Sequence, residues 1–177
     1  MRIPLVIVVV LAAVAPLRAQ DAVPNPTADP EAFTRAVLEA WSMADIDHIL
    51  TFYTDDIVYE DVPNVDNGWS TIHRGRDAFR QSLIELYAGM PDFAIEFESA
   101  RAGDDHLVME WTMTGTHTGD WEGLPATGGS ISIRGISIAE IEDGRITRNR
   151  DYYDSYLFLV QLGVLPESLP SPEDPLP

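Results

Sequence analysis

Asp143-Gly144 sits between two long runs of alternating residues, and that dipeptide constrains the chain more than any other feature. Asp-Gly supplies the positive φ angles of a tight type I′ turn, so 130–142 and 145–156 read as an antiparallel hairpin. The turn also fixes a register. Glu142 faces Arg145 and Ile141 faces Ile146. If pairing stays regular, Ser137 faces Arg150, Gly135 faces Tyr152 and Ile133 faces Asp154. Alternation then puts Ile141, Ile146, Ser137, Arg150, Tyr152 and Asp154 on one sheet face, and the isoleucines mark it as the buried one. A β-bulge would undo this inference.

The rest of the chain supplies partners for that hairpin. Asp29-Pro30-Glu31 is a helix start, with an N-cap, proline at N1 and an acid in the first turn; the helix runs to about Met43. Asp45 caps a second, short helix. Residues 57–62 read as a strand with Ile57, Tyr59 and Asp61 on one face. A loop follows at 63–74, then a helix over 75–88 with Phe79, Leu83, Leu86 and Tyr87 inward. Residues 93–101 and 106–118 alternate as strands. The second carries Leu107, Met109, Trp111, Met113 and His117 on one face. The pattern is one α+β domain over 29–164.

The ends read differently. Arg2, the apolar run 3–14 and Ala19 have the layout of a cleaved export signal over 1–19, and the run is too short to span a bilayer. Residues 20–28 read as a flexible leader, and 165–177, with five prolines, as a disordered tail. The expected location is periplasmic or secreted. No cysteine is present, so no disulfide staples the fold and a lipid-anchored lipoprotein is excluded. Against 29 acidic residues stand 11 basic ones, all arginine, for a net charge of −18. That surface repels nucleic acid and anionic lipid. The expected partner is a small hydrophobic molecule.

Several chemistries lack their signatures. No two histidines sit at metal-ligand spacing, and His-Glu-x-x-His is absent, so no metal is expected. There is no Gly-x-Ser-x-Gly elbow and no phosphate-binding glycine loop. No cofactor is expected. Asp154 stands out instead, as a carboxylate on an apolar face suited to proton transfer or to a buried ion pair with Arg150. Asp61 either joins that chemistry or caps the next loop. Tyr59, Trp111, His117, Tyr152 and Ser137 are the candidate lining.

Two helices, a strand, a helix and then antiparallel strands is the element order of the nuclear transport factor 2-like cone, a curved sheet wrapped by three N-terminal helices. The segments FYTDDIVYEDV (52–62), RGRDAF (74–79), GTHTGDWEGLPATGG (115–129), IEDGRI (141–146) and DYYDSYLFLVQLGVLP (151–166) resemble the SnoaL-like polyketide cyclase or ester cyclase family. The resemblance implies cofactor-free acid/base chemistry by one aspartate near the end of the last strand, which spacing matches to Asp154. It aligns Ser137 with a histidine of some members, and Arg150 with an aromatic. It also implies a homodimer through the open sheet face. Ketosteroid isomerase, a relative, has its base at the position of Asp61, but its oxyanion donors fall at Val37 and Ser137. Limonene epoxide hydrolase sets an arginine between two aspartates, an arrangement that Asp61, Arg150 and Asp154 could imitate.

Overall fold

The computed structural model describes residues 23–63, 68, 72–121 and 123–166. The expected export signal (1–19), the start of the leader, most of the loop around Trp69 and the tail from 167 lie outside the described residues.

Helix α1 (Pro30–Ser42) begins as its sequence dictates. The Asp29 side chain accepts from the backbone N–H of Ala32 at 3.1 Å, and Pro30 sits where no N–H is needed. Asp45 caps the four-residue α2 (Ile46–Ile49) in the same way, accepting from His48 N–H at 3.0 Å. A 3₁₀ turn (Leu50–Phe52) leads into strand β1 (Tyr53–Asp61). The short β2 (His73–Arg74) precedes α3 (Arg76–Gly89). Strands β3 (Ala94–Ala102), β4 (His106–Thr116), β5 (Ser130–Glu142) and β6 (Arg145–Tyr153) follow, and α4 (Ser155–Gln161) is the last described element.

The six strands form one sheet in the order β2-β1-β6-β5-β4-β3. All neighbours are antiparallel except β1 and β6, which run parallel. Parallel pairing of distant segments brings Tyr59 and Asp61 beside the end of β6. One sheet face is lined by Leu107, Met109, Trp111, Ile131, Ile133, Ala139 and Ile146, all nearly inaccessible to solvent. Phe33, Val37 and Trp41 of α1 and Phe79 and Leu83 of α3 join this core.

Asp143 (φ 50°) and Gly144 (φ 76°) form the expected turn, and the first two pairs are Glu142–Arg145 and Ile141–Ile146. Beyond them the regular register fails. Glu140 pairs with Arg148, leaving Thr147 as the extra residue of a bulge. Every later partner shifts by one: Ser137 opposes Asp151, Ile138 opposes Arg150, Ile136 opposes Tyr152 and Gly135 opposes Tyr153. The physical reason lies in the charges. Regular pairing would turn Arg148 and Arg150 into the core, at a cost of several kcal/mol per ion, whereas a bulge gives up roughly one ladder hydrogen bond, about 1 kcal/mol. The bulge sends Asn149, Asp151 and Tyr153 inward instead.

β6 also stops three residues earlier than its alternation suggests. Asp154 is the N-cap of α4 and accepts from Leu157 N–H at 2.9 Å. Gly163, at φ 77°, closes that helix with hydrogen bonds back to Val160 and from Val164 to Leu159. The expected β continuation to 156 is therefore a turn of helix that buries Phe158.

Candidate functional site

A cavity of about 110 Å³ lies between the inner sheet face, α1 and α3. Asp151 sits at its polar end. Ser137, directly across the β5–β6 pair, donates its hydroxyl to Oδ1 at 2.6 Å. Asn149, two residues back on the same face, donates Nδ2–H to Oδ1 at 2.7 Å. Tyr59 donates its hydroxyl to Oδ2 in a short hydrogen bond. The indole N–H of Trp111 donates to Ser137 Oγ at 2.8 Å. That contact commits the serine hydrogen to Asp151.

Two opposing effects act on this carboxyl. The three donors favour its ionised form. Enclosure by apolar and aromatic walls disfavours it, and that desolvation is the larger effect, so the Asp151 pKa is raised above the ordinary carboxylate value. No cation among the described residues faces it. The Tyr59 hydroxyl is pushed up by burial first and by Asp151 second, so it stays protonated as a donor.

The ring of Tyr59 stacks on Phe79 (centroids 4.6 Å) and packs against Trp41 (6.0 Å), which fixes the hydroxyl. Trp111 is placed by an absence. A Cβ on Gly135 would lie 2.3 Å from the indole, so only glycine lets the ring cross β5 and reach Ser137. A second carboxyl, Asp61, lines the cavity from the end of β1 and accepts from the Tyr153 hydroxyl at 2.9 Å. His73 lines the cavity from β2, half-buried, and its pKa is lowered by desolvation. Trp121, from the β4–β5 loop, closes another side and meets Phe158 edge-on at 5.9 Å.

The structure gathers four expected residues, Asp61, Tyr59, Trp111 and Ser137, around one space. It separates the others. Asp154 caps α4 and does not line the cavity. Arg150 and Tyr152 lie on the outer sheet face, where Arg150 approaches Glu140 at 3.4 Å and Tyr152 borders a shallow depression with Glu98 and Arg134. His117 follows the end of β4, which stops at Thr116, whose N–H is held by Asp92 Oδ1 at 2.7 Å. Fully buried, His117 accepts from Thr127 N–H at Nδ1 (3.3 Å) and braces the loop behind Trp121. Its role is in the wall's support, outside the lining.

Asp151 and Asn149 were not singled out by the sequence. The signal that finds them is the cost of the alternative, two arginines on an apolar face. Among the described residues, no group of three or more His, Cys, Asp or Glu is placed to hold a metal ion, and no helix is long and apolar enough to cross a membrane.

Comparison with known proteins agrees with the architecture. AclR of Streptomyces galilaeus, a hydroxylase candidate, superposes with a TM-score of 0.65 at 24% identity, over 81% of this chain and 86% of that one. A polyketide cyclase candidate of Xanthomonas campestris gives 0.63 at 23%, over 73% and 93%. A Catenulispora acidiphila protein of ketosteroid isomerase-like fold, in complex with trimethylamine, gives 0.62 at 18%, over 77% and 96%. No curated protein matches the chain significantly. The family model for SnoaL-like polyketide cyclases matches residues 31–162, and the chain belongs to that family.

Proposed function

We propose that this protein is a cofactor-free acid/base enzyme acting on a small, mostly apolar carbonyl compound held in the cone, with Asp151 as the group that moves the proton. The observation that carries this reading is the Asp151 carboxyl itself: enclosed, raised in pKa, facing no cation among the described residues, and fixed by Ser137, Asn149 and Tyr59. A carboxylate of raised basicity takes a proton from carbon next to a carbonyl more readily than an ordinary one, and returns it as an acid. The family's aspartate near the end of the last strand is then Asp151, which opposes Ser137, the position of the histidine found in some members. Asp61, the register partner of Asp151 on β1, forms with Tyr153 a second polar anchor beside it. The cavity's volume is below the roughly 300 Å³ of common ligand pockets, which favours a small substrate.

Export through residues 1–19 and a homodimer through the outer sheet face complete the reading. They would put the enzyme on environmental small molecules rather than beside a synthase. The test is hydrogen–deuterium exchange next to the carbonyl of a panel of small ketones and esters, followed by NMR. The wild-type chain speeds exchange for some members, and Asp151→Asn abolishes the effect. Equal exchange with both proteins sinks the mechanism.

A second reading has its own observation. Three protein donors already occupy the Asp151 carboxyl, leaving about one acceptor site of four. A purely binding protein needs no more than that. It is favoured if a ligand co-purifies and no panel member is turned over.

A further inference from the structure

The hydrogen bonds around Asp151 leave two buried groups of the cavity wall half-used. Ser137, Tyr59 and Trp111 have one side-chain polar hydrogen each, and all three are committed: two to the Asp151 carboxyl and one to Ser137 Oγ. Tyr53 differs. Its hydroxyl oxygen accepts from the Trp41 indole N–H at 3.3 Å, and its own hydrogen has no acceptor among the described residues. The side chain lines the cavity from the first residue of β1, with its ring edge-on to Phe79 at 4.9 Å. Burial, opposed by the Trp41 N–H and aided by the Asp151 charge, pushes the hydroxyl's pKa up, so it keeps its hydrogen. A hydroxyl whose oxygen already accepts a bond is the stronger donor.

Asn149 holds the complementary group. It is 2% exposed and lines the cavity from β6. Its Nδ2 faces Asp151, and its Oδ1 is sealed from solvent with no partner. Turning the amide over would set that oxygen against the carboxylate, so the orientation is fixed. A sealed carbonyl oxygen without a donor is uncommon in folded proteins and points to a group that arrives later. A plain ketone would use the Tyr53 hydrogen and leave Asn149 Oδ1 unmatched.

We infer that the substrate is a small hydroxy-carbonyl compound, whose carbonyl oxygen accepts from the Tyr53 hydroxyl and whose own hydroxyl donates to Asn149 Oδ1. The inference deepens the proposed function and rests on its premise that the cavity takes a small carbonyl compound. When Asp151 removes the proton beside the carbonyl, the C–H electron pair forms the new C=C bond and the carbonyl π pair moves onto oxygen. Tyr53 holds that oxygen, and the proton later returns from Asp151 to carbon. A site that hydrogen-bonds a substrate hydroxyl also rejects the analogue without one, because a buried polar atom is then left unpaired.

The test compares hydroxyacetone with butanone, which carries a methyl in place of the hydroxyl and is otherwise the same skeleton. Each is titrated into the full chain and followed by NMR. Hydroxyacetone is expected to bind about tenfold tighter. Tyr53→Phe weakens both ketones and keeps their ratio. Asn149→Ala removes the preference, since its lost contact to Asp151 is common to both ligands. A further measurement needs no variant: in carbon-13-labelled wild type, the Asn149 side-chain carbonyl signal moves on adding hydroxyacetone and stays in place with butanone. Equal or tighter binding of butanone overturns the inference, as does failure of both ketones to bind. A preference retained in Asn149→Ala, or an unmoved Asn149 signal, sends the hydroxyl to another acceptor and also overturns it. So do affinities unchanged in Tyr53→Phe. Deuterium exchange into the same ketones reads the proposed function separately. Exchange that is lost in Asp151→Asn, without a preference for hydroxyacetone, removes only this substrate class. The preference without any exchange keeps the ligand class and removes the acid/base mechanism.

Discussion

The two faces of the sheet treat their charged groups in opposite ways. On the outer face, Glu60, Glu98 and Glu140 meet Arg134, Arg148 and Arg150 in ion pairs open to water. On the inner face, Asp151 meets only neutral donors, a serine, an asparagine and a tyrosine. An ion pair screened by solvent holds a side chain without changing its chemistry, because both charges stay satisfied. A carboxyl fixed by neutral donors in an enclosed space keeps its position and gains basicity. One bulged residue, Thr147, decides which group goes to which face.

The largest expected effect is on the inner face. Asp151→Asn lowers turnover by about 10²–10⁴-fold, the usual contribution of a positioned acid/base. The same change raises stability. The folded carboxyl holds its proton more tightly than the unfolded one, so its stabilising contribution is present below the ordinary carboxylate range. It is lost as pH rises through the raised folded value. The asparagine has no such loss. Its oxygen can still accept from Ser137 and Asn149, and its amide can donate to Tyr59. Near pH 7 the variant melts about 2–4 °C higher, corresponding to about 1 kcal/mol, and the gain disappears on acidification. Melting curves across pH check this, and a lower melting temperature at every pH would break it.

Tyr59→Phe comes next. The ring still packs on Trp41 and Phe79, so the fold persists. The ionised Asp151 loses a donor, its pKa rises further, and turnover at neutral pH falls about tenfold, as for about 1.4 kcal/mol of lost anion stabilisation. The acid limb of the pH–rate profile moves to higher pH. An unmoved limb would mean that the tyrosine shapes the wall and does not tune the carboxyl.

Most of the architecture was legible in local signals. Asp29-Pro30-Glu31, Asp45 and Asp143-Gly144 mark three boundaries, and each does so by its own backbone chemistry. Alternation placed Tyr59, Asp61, Trp111 and Ser137 on the inner face. The site's central residue was not legible that way, because period-two counting carries an error forward. A single bulge between Ile146 and Arg148 reverses every side chain after it, so the count selected Arg150, Tyr152 and Asp154 in place of Asn149, Asp151 and Tyr153. A tertiary energy, the cost of burying arginine, held the missing information. The helix after Asp154 was hidden for a related reason: a seven-residue segment is two turns long and gives little periodicity.

Asp154→Ala tests that correction with a smaller effect. Loss of the N-cap bond to Leu157 costs about 1 kcal/mol, a fall of about 2–4 °C in melting temperature, and turnover per folded molecule stays unchanged. Turnover lost without a fall in melting temperature would restore the regular register and put Asp154 in the site.

The smallest effect belongs to Arg150→Ala. The guanidinium is partly exposed and shares Glu140 with Arg148, at 3.4 Å and 3.7 Å. Removing it leaves Glu140 with a partner, so no charge is stranded. The pair itself is worth little once water screening is counted, and stability changes by no more than about 0.5 kcal/mol. Turnover and the pH–rate profile remain those of the parent, because no part of the cavity is lined by Arg150. An arginine acting on a substrate oxyanion behaves otherwise: its removal lowers kcat at constant stability. That outcome would place Arg150 on the inner face, return Asp151 to the outer one, and remove the contrast from which the Asp151 mechanism is drawn.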